Sequence, residues 1–345
     1  MRKIDVFNHI YPASYYTRLM KTAPAVKDIG KRMRNIPMLA DLDVRFRVMD
    51  AFEDYHQVLS LPTPPIEVFA SRADATDLAR AANDGMADLV QTYPDRFPAF
   101  VAALPLSDVD AAVAELHRGV DELGARGFQI FSNINGRPIS DPVFLPLFEA
   151  MVAYDLPIWL HPYRGADVAD FKAEDRSKFE IWWTFGWPYD TSAAMARLVF
   201  AGYFDRWPAL KIITHHMGAM IPYFAGRVGP GWDQLGARTS DEDLGRVLTA
   251  LKKRPLDYFK MFYADTALFG AYDATVCGLE FFGPDRTVFA SDAPFDPEKG
   301  PMYIRETIAI IDRLPIDNDA RERIYWRNAA AMLKLKPEAR SPKPD

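Results

Sequence analysis

Apolar residues along the chain fall into short, nearly unbroken runs, and each run is followed by a segment with the spacing of an amphipathic helix. A half-exposed strand alternates apolar and polar residues, whereas a parallel strand that is covered on both faces is apolar throughout. The runs therefore predict eight buried strands, at 3–7, 56–61, 100–104, 127–131, 157–161, 210–214, 262–265 and 286–291.

The segments between these runs carry helical patterns. Residues 108–123 put Ala112, Leu116 and Val120 on one face, and Asp108 stands where a helix N-cap is expected. Strand and helix alternate eight times, which predicts an α/β protein with a (β/α)8 TIM barrel. The length of 345 residues suits either two average domains or one such barrel.

The alternation favours a single barrel domain over residues 1–335, followed by a flexible tail at 336–345. Two connections are too long to be simple turns, and we predict insertions at about 10–42, after strand 1, and 163–190, after strand 5. Both leave the C-terminal ends of strands, where barrel enzymes build their sites, so both are expected to form pocket walls.

The second insertion carries four large aromatic residues: Trp182, Trp183, Phe185 and Trp187. Such a cluster would suit a flat substrate. A small satellite core or a subunit interface explains it equally well, because aromatic residues serve all three uses.

Composition narrows the class of protein. Hydrophobic residues make up 49% of the chain and charged residues 26%, as in a globular protein with a sizeable core. The net charge of -6, without any Lys/Arg cluster, argues against nucleic acid as the main partner. No apolar stretch has the length of a membrane span, and the N-terminal residues lack a signal-peptide layout. The single cysteine, Cys277, fits a reducing compartment, so we expect a cytoplasmic protein that acts on a small molecule.

Residues that can bind a metal stand at the predicted strand ends. His9 follows strand 1, His161 closes strand 5 and Asp292 follows strand 8, while His215 and His216 follow strand 6 directly. An isolated histidine is usually structural, but the C-terminal strand ends of a barrel meet at one mouth. Neutral imidazole nitrogens and a carboxylate oxygen together suit a divalent cation.

Several longer motifs occur in a fixed order. The chain opens with Ile-Asp-x-x-x-His-x-x-Pro at 4–12, and a run at 127–162 ends in His161-Pro162. The stretch 186–227 contains THHMGAMIP, and it is followed by FGPDRTVFASDAPF and by RNAAAML. Taken together, these motifs resemble the amidohydrolase superfamily over nearly the whole chain. They are most similar to the branch that contains aminocarboxymuconate semialdehyde decarboxylase and γ-resorcylate decarboxylase.

The resemblance implies roles for particular residues. His9, His161 and Asp292 match metal-ligand positions, which implies one divalent metal ion, with Zn or Mn expected. His216 matches the acid/base histidine of the family motif His-x-Gly-x-x-x-Pro, so His216 and Asp292 are the candidate catalytic residues. His215 stands at a position that is usually small, inherits no role, and is expected to face the other side of the strand end.

The resemblance also implies substrate-binding residues. Arg227 matches an arginine that crosses a dimer interface in some members to hold a substrate carboxylate, which implies a homodimer or a larger homo-oligomer. A surface salt bridge is the plain alternative for Arg227. Arg45 lies in an arginine-bearing stretch near the family's pocket, and Trp187 belongs to the aromatic cluster that would clamp a ring.

Phe7 departs from the family pattern. The strand-1 motif usually supplies two ligands, and phenylalanine offers no lone pair where the first one would be. Three protein ligands still suffice for a catalytic metal. A metal-free site therefore stays open as an alternative.

The leading hypothesis is a metal-dependent, non-oxidative decarboxylase of an aromatic or unsaturated carboxylic acid, in which His216 or Asp292 protonates the carbon that loses carbon dioxide. A hydrolase or hydratase that uses the same residues to activate water is the alternative. A third hypothesis is a non-catalytic binding protein whose barrel lost its metal at Phe7.

Overall fold

The computed structural model describes residues 1–23, 29–239 and 241–335. The tail predicted at 336–345 lies outside the described residues, as does part of the insertion predicted at 10–42.

Ten strands occur in the described residues, and eight of them coincide with the eight apolar runs. The strands are β1 (Lys3–His9), β2 (Tyr55–Ser60), β3 (Ala99–Phe100), β4 (Phe128–Phe131), β5 (Asn133–Ile134), β6 (Arg137–Pro138), β7 (Ile158–His161), β8 (Ile212–Thr214), β9 (Tyr263–Asp265) and β10 (Thr287–Val288). Strand β1 is longer than the sequence pattern predicts and includes His9 itself. The β5–β6 hairpin is not predicted by the pattern, because each of its strands has only two residues.

The eight coinciding strands are all parallel and form two sheets, with the orders β1-β2-β3 and β10-β9-β8-β7-β4. Isolated parallel bridges, Asn8 with Ala293 and Ala102 with Phe128, join the edges of the two sheets. The protein is thus an α/β fold with parallel sheets, consistent with the predicted TIM barrel. The C-terminal ends of the parallel strands share one face, which carries His9 and His161.

Seventeen α-helices occur in the described residues, most of them between the strands. They are α1 (Ala13–Thr22), α2 (Ile29–Met33), α3 (Leu42–Met49), α4 (Ile66–Phe69), α5 (Arg72–Thr92), α6 (Val109–Asp121), α7 (Leu145–Tyr154), α8 (Ile181–Thr184), α9 (Gly186–Phe200), α10 (Tyr203–Arg206), α11 (Ala225–Trp232), α12 (Leu244–Ala250), α13 (Pro255–Phe259), α14 (Tyr272–Phe282), α15 (Pro301–Arg313), α16 (Asn318–Glu322) and α17 (Asn328–Met332). Short 3-10 helices occupy Pro37–Leu39, Pro142–Phe144 and Pro284–Arg286, and a π-helical turn occupies Arg323–Arg327. None of the helices described is both long and apolar enough to cross a membrane.

Helix α6 forms where the sequence predicts it. The Asp108 side chain accepts a hydrogen bond from the backbone N–H of Ala111, which satisfies one of the donors left free at a helix start. Ala112 and Leu116 are fully buried on the face that packs inward. The helix therefore follows from local capping together with the apolar stripe.

A separate inner core fills the space between the strands. It includes Val6 and Phe7 of β1, Trp159 of β7 and Ile213 of β8. The indole N–H of Trp159 donates to the carbonyl oxygen of Val6 at 2.8 Å, which ties β7 to β1. The pairing of β1 with β2 shifts register between Asp5 and Asn8, and such an irregularity changes the direction of the side chains at that point. Val6 and Phe7 both belong to the inner core, although neighbours in a regular strand face opposite ways.

Candidate active site

Four buried side chains converge at the C-terminal ends of the strands: His9, His161, His215 and Asp292. Each offers one ligand atom, and these atoms all lie within 4.8 Å of one another. His9 ends β1 and His161 ends β7, while His215 follows β8 and Asp292 lies beyond β10. The structure therefore brings together the three residues that the sequence singled out as ligands, and it adds His215.

Each of the three imidazoles is held by its Nδ1 atom. His9 Nδ1 lies 3.1 Å from the carbonyl oxygen of Leu61, and His161 Nδ1 lies 2.6 Å from the carbonyl oxygen of Pro162. His215 Nδ1 is hydrogen-bonded to the carboxylate of Asp265. Because these acceptors take Nδ1–H donors, each ring in its neutral form has its lone pair at Nε2, as metal-binding histidines need.

The Nε2 atoms have few other partners. His9 Nε2 lies 3.1 Å from Asp292 Oδ1, and His215 Nε2 lies 3.4 Å from the same oxygen. His215 Nε2 is buried and makes no hydrogen bond with the described residues. A buried polar atom without a partner is costly unless a ligand satisfies it. Three imidazoles and one carboxylate are also a donor set that divalent transition metals accept, so these residues fit such an ion.

Burial and neighbouring charge set the protonation of the site. Burial, reinforced by the charge of His215, lowers the pKa of His161 well below its usual value, and burial likewise lowers the pKa of His9. Burial also disfavours charge on His215, but the carboxylates of Asp265 and Asp292 outweigh it and raise the pKa of His215 to about 9. Burial tends to raise the pKa of Asp292, yet the charge of His215 holds that pKa well below the usual range. An arriving cation would therefore displace the proton of His215.

The cluster opens into a pocket of about 540 Å³. His161, His216 and Asp292 line it together with Trp182, Trp183 and Trp187. Three cationic side chains also line the pocket: Lys31, Arg32 and Arg176. Trp187 is close to the cluster, because its ring centroid is 5.8 Å from that of His161 in an edge-on arrangement. A pocket of this size with aromatic walls and cationic groups suits a small, flat acid.

His216 lies beside the cluster and not within it. Its Nε2 atom is 3.8 Å from Asp292 Oδ2, and its Nδ1 atom is buried without a hydrogen bond to any described residue. Burial lowers the pKa of His216, and the charge of His215 lowers it further. His216 can therefore accept a proton as a neutral base or deliver one as a strong acid at the pocket wall.

The backbone explains why two successive histidines reach the same site. Residues 216–219 all have positive φ values, between 53° and 72°. This left-handed turn directly after β8 puts the rings of His215 and His216 only 3.8 Å apart, centroid to centroid. The expectation that His215 faces the other side of the strand end was therefore wrong. Gly218 is required in this turn, because a Cβ atom there would lie 2.6 Å from the ring of Phe282.

The structure also corrects the prediction for Arg45. This side chain is fully buried under the site and is not part of the pocket lining. Its guanidinium donates to Gln57 Oε1 at 2.6 Å, to Asn8 Oδ1 at 3.3 Å and to the carbonyl oxygen of His9. These neighbours occupy its donors, so Arg45 supports the end of β1 instead of binding substrate.

Arg227 lies apart from the pocket. It is exposed on α11 and lines a different surface cavity, together with Trp232 and Arg238. A role across a subunit interface is not tested by a single chain, so that role stays a prediction.

Sequence reasoning missed His215 and Asp265. Both carried a usable signal, since Asp265 ends the run FYAD and His215 directly follows β8. The position at a strand end is the same criterion that identified His9 and His161. The family resemblance implies a small residue at position 215, and for that reason alone no role was expected for His215.

Comparisons with known proteins agree with this geometry. The family model for "Amidohydrolase" matches residues 4–335. The chain is 32% identical over 328 residues to gamma-resorcylate decarboxylase of Polaromonas sp. (strain JS666 / ATCC BAA-500), covering 92% of this chain and 94% of the relative. It is 29% identical over 311 residues to 2-amino-3-carboxymuconate-6-semialdehyde decarboxylase of Dictyostelium discoideum, covering 89% and 81% of the two chains.

A solved structure is similar throughout. The crystal structure of dihydroxybenzoic acid decarboxylase from Polaromonas sp. JS666 contains bound manganese and the inhibitor 2-nitroresorcinol. It superposes with a TM-score of 0.78 at 29% sequence identity, and 97% of each chain is covered. The strand-end histidines, the match over almost the full length and the shared fold lead to one conclusion: this chain belongs to the amidohydrolase family, in the branch that contains the gamma-resorcylate decarboxylases.

Proposed function

We propose that this protein is a metal-dependent, non-oxidative decarboxylase of a small aromatic carboxylic acid. The observation that carries the proposal is the buried cluster of His9, His161, His215 and Asp292 at the base of a tryptophan-lined pocket. The relatives named above are decarboxylases, and the similar crystal structure contains manganese. Manganese is therefore our first choice of ion, with zinc as the second.

Binding of the substrate would use the pocket walls. Trp187 and its neighbours Trp182 and Trp183 offer aromatic faces and edges to a ring. Arg32 and Arg176, which also line the pocket, supply positive charge for an acid, a task for which the buried Arg45 is not available. Once bound, a divalent ion would supply a fixed positive charge beside the substrate carboxylate and a neighbouring oxygen.

The reaction breaks the bond between the ring carbon and its carboxyl group. Carbon dioxide leaves, the electron pair stays on the ring carbon, and that carbon takes up a proton. We assign delivery of the proton to His216, because its side chain lines the pocket. His216 lies in the connection after β8, outside both sheets. Asp292 acts with it, because Oδ2 is 3.8 Å from His216 Nε2 and stabilises the protonated imidazole. Asp292 itself is a poor proton donor, because its carboxylate belongs to the donor set of the cluster and must be ionised to hold the ion.

The proposal extends to the architecture around the site. The two bridged sheets would form one closed (β/α)8 barrel within a single domain, 1–335. The segments at about 10–42 and 163–190 would act as insertions that build the pocket wall, since Arg32 comes from the first and Trp187 from the second. Arg227 would lie at the interface of a homodimer in the cytoplasm, where a lone cysteine such as Cys277 stays reduced.

The decisive experiment separates decarboxylation from hydrolysis. Purified protein loaded with manganese is incubated with γ-resorcylate and related ortho-hydroxybenzoates, in deuterated water and in ¹⁸O-labelled water. We expect release of carbon dioxide and one deuterium on the ring carbon that lost it. Incorporation of ¹⁸O into a product without carbon dioxide would instead establish a hydrolase or hydratase. No turnover by either route across the panel would favour a binding protein.

A further inference from the structure

The ring of Phe7 is stacked on the imidazole of His215. Their centroids are 3.8 Å apart and their planes differ by 14°. In the family pattern that the sequence resembles, a strand-1 ligand is expected at position 7 and a small residue at position 215. The two departures from the family pattern are therefore in direct contact with each other.

His215 is held on three sides. Phe7 covers one face of its ring, and the His216 ring lies over the other with a centroid distance of 3.8 Å. The carboxylate of Asp265 accepts the hydrogen bond from Nδ1. Asp265 is itself fixed, since its second oxygen accepts a hydrogen bond from the backbone N–H of Ala267 at 3.0 Å. A ring held in this way can present Nε2 in one direction only, toward Asp292.

The three imidazoles of the cluster differ in what holds them. His9 and His161 are held by neutral backbone carbonyl groups, whereas His215 is held by a buried carboxylate. A carboxylate makes the ring a stronger electron donor at its other nitrogen. The histidine at the unusual position therefore carries the strongest support of the three.

We propose that His215 replaces the metal ligand lost at position 7, and that Asp265 and Phe7 are positioning residues that hold it in place. Phe7 offers no ligand atom but supplies an apolar platform, and the imidazole of His215 rests on it. With His215 the site has four protein ligands, one of them at the end of β8. This inference rests on the metal-binding part of the proposed function and not on decarboxylation.

The test measures manganese binding instead of turnover. The main variant is His215→Gln, whose amide keeps a donor for Asp265, and the matched control is His216→Gln at the adjacent ring. Manganese affinity is measured by titration, and nitrogen ligands are counted by pulsed electron paramagnetic resonance. We expect three coordinated nitrogens in the parent and in His216→Gln, but two in His215→Gln with weaker binding. Asp265→Asn is expected to weaken manganese binding by about 10- to 100-fold without changing the number of nitrogens.

The rescue variant is Phe7→His/His215→Gln, which returns the ligand to β1. Since the Phe7 ring centroid is 5.8 Å from that of His9 and 5.7 Å from that of His161, a histidine there is near the cluster. We expect the third nitrogen and most of the affinity to return. A purely structural role for His215 predicts no such rescue.

Two results would overturn the inference: three coordinated nitrogens in folded His215→Gln, or no manganese binding by the parent protein. The first would make His215 part of a proton-transfer pair with Asp265. Failure of the proposed function looks different, because manganese would then bind with three nitrogens while no carbon dioxide is released.

Discussion

Oδ2 of Asp292 lies 3.8 Å from Nε2 of His216, while Oδ1 of the same carboxylate lies 3.1 Å from Nε2 of His9. One oxygen thus faces the candidate proton donor and the other faces the candidate metal ligands. The carboxylate connects the two halves of the site, so a substitution at His216 tests one half without the other.

The variant His216→Asn is expected to retain bound manganese but to lose decarboxylase activity. The variant removes the group that delivers the proton but none of the four clustered ligands. General acid–base catalysis contributes roughly 100- to 10,000-fold, so kcat should fall by that factor while manganese content stays at the parent level. Elemental analysis and carbon dioxide release measure the two quantities. His161→Asn is the comparison, since it should lose both. Loss of manganese from His216→Asn would assign His216 to the coordination sphere.

Arg45→Met should destabilise the protein without altering pocket chemistry directly. The change leaves Gln57 Oε1, Asn8 Oδ1 and two backbone carbonyls buried without their donor. Burial lowers the pKa of Arg45 to about 10, so the guanidinium that is removed is still charged at neutral pH. Several unsatisfied buried acceptors should lower the free energy of unfolding by roughly 3 to 5 kcal/mol, measured by urea denaturation. Arg47→Met, exposed on the same helix, is the control and should change that free energy by less than about 0.5 kcal/mol. If the two substitutions lowered the free energy of unfolding equally, Arg45 would not support the end of β1.

The strands could be predicted from the sequence because the apolar pattern of a strand lies within its own segment. A buried parallel strand needs a run of apolar residues wherever it lies, and β1, β4 and β7 carry such runs. The same holds for α6, whose cap and apolar stripe are set within one segment. His9, His161 and Asp292 could be singled out because a strand end has a defined place in a parallel barrel.

Other features depend on contacts that spacing does not encode. Arg45 looks like an ordinary helical residue, and its burial follows from Asn8 and Gln57, which lie on two other elements. The left-handed turn that begins at His216 brings that side chain to the same site as His215, and the identity of neighbouring residues does not predict the turn. Asp265, the partner of His215, is 50 positions away in the chain. Interactions over such separations become visible only when the strands are assembled.

Trp187→Ala should weaken substrate binding more than it slows the chemistry. The indole lines the pocket beside His161 but offers no group to the reacting carbon. Loss of one aromatic contact is worth about 1 kcal/mol, which corresponds to a rise in KM of roughly fivefold, and kcat should change less. Steady-state kinetics give both constants, and Trp187→Phe should recover most of the affinity. Phe185→Ala, at a side chain that is exposed and absent from the pocket lining, is the control. An unchanged KM in Trp187→Ala would exclude the ring clamp.

Glu67→Gln should stabilise the protein at alkaline pH and have less effect at acidic pH. Glu67 is buried on α4, its Oε1 atom has no hydrogen-bond partner among the described residues, and burial raises the pKa of its carboxyl to about 7. Below the ordinary value of 4.5 the group is protonated in both the folded and the unfolded chain, so its contribution to stability is fully present. As pH rises toward 7, the unfolded chain ionises freely while the folded one resists, and the free energy of unfolding falls by about 3 kcal/mol in total.

Glutamine cannot ionise, so the free energy of unfolding of Glu67→Gln does not fall in this way as pH rises. The free energy of unfolding of the variant, relative to the parent, should therefore rise between pH 4.5 and pH 7 and level off above that range. Urea denaturation at pH 5 and pH 8 measures the difference. Glu122→Gln, at an exposed position on the surface, gives the effect of removing one carboxylate by itself. A difference between Glu67→Gln and the parent that is the same at both pH values would mean that Glu67 is as easily ionised in the folded protein as in the unfolded chain.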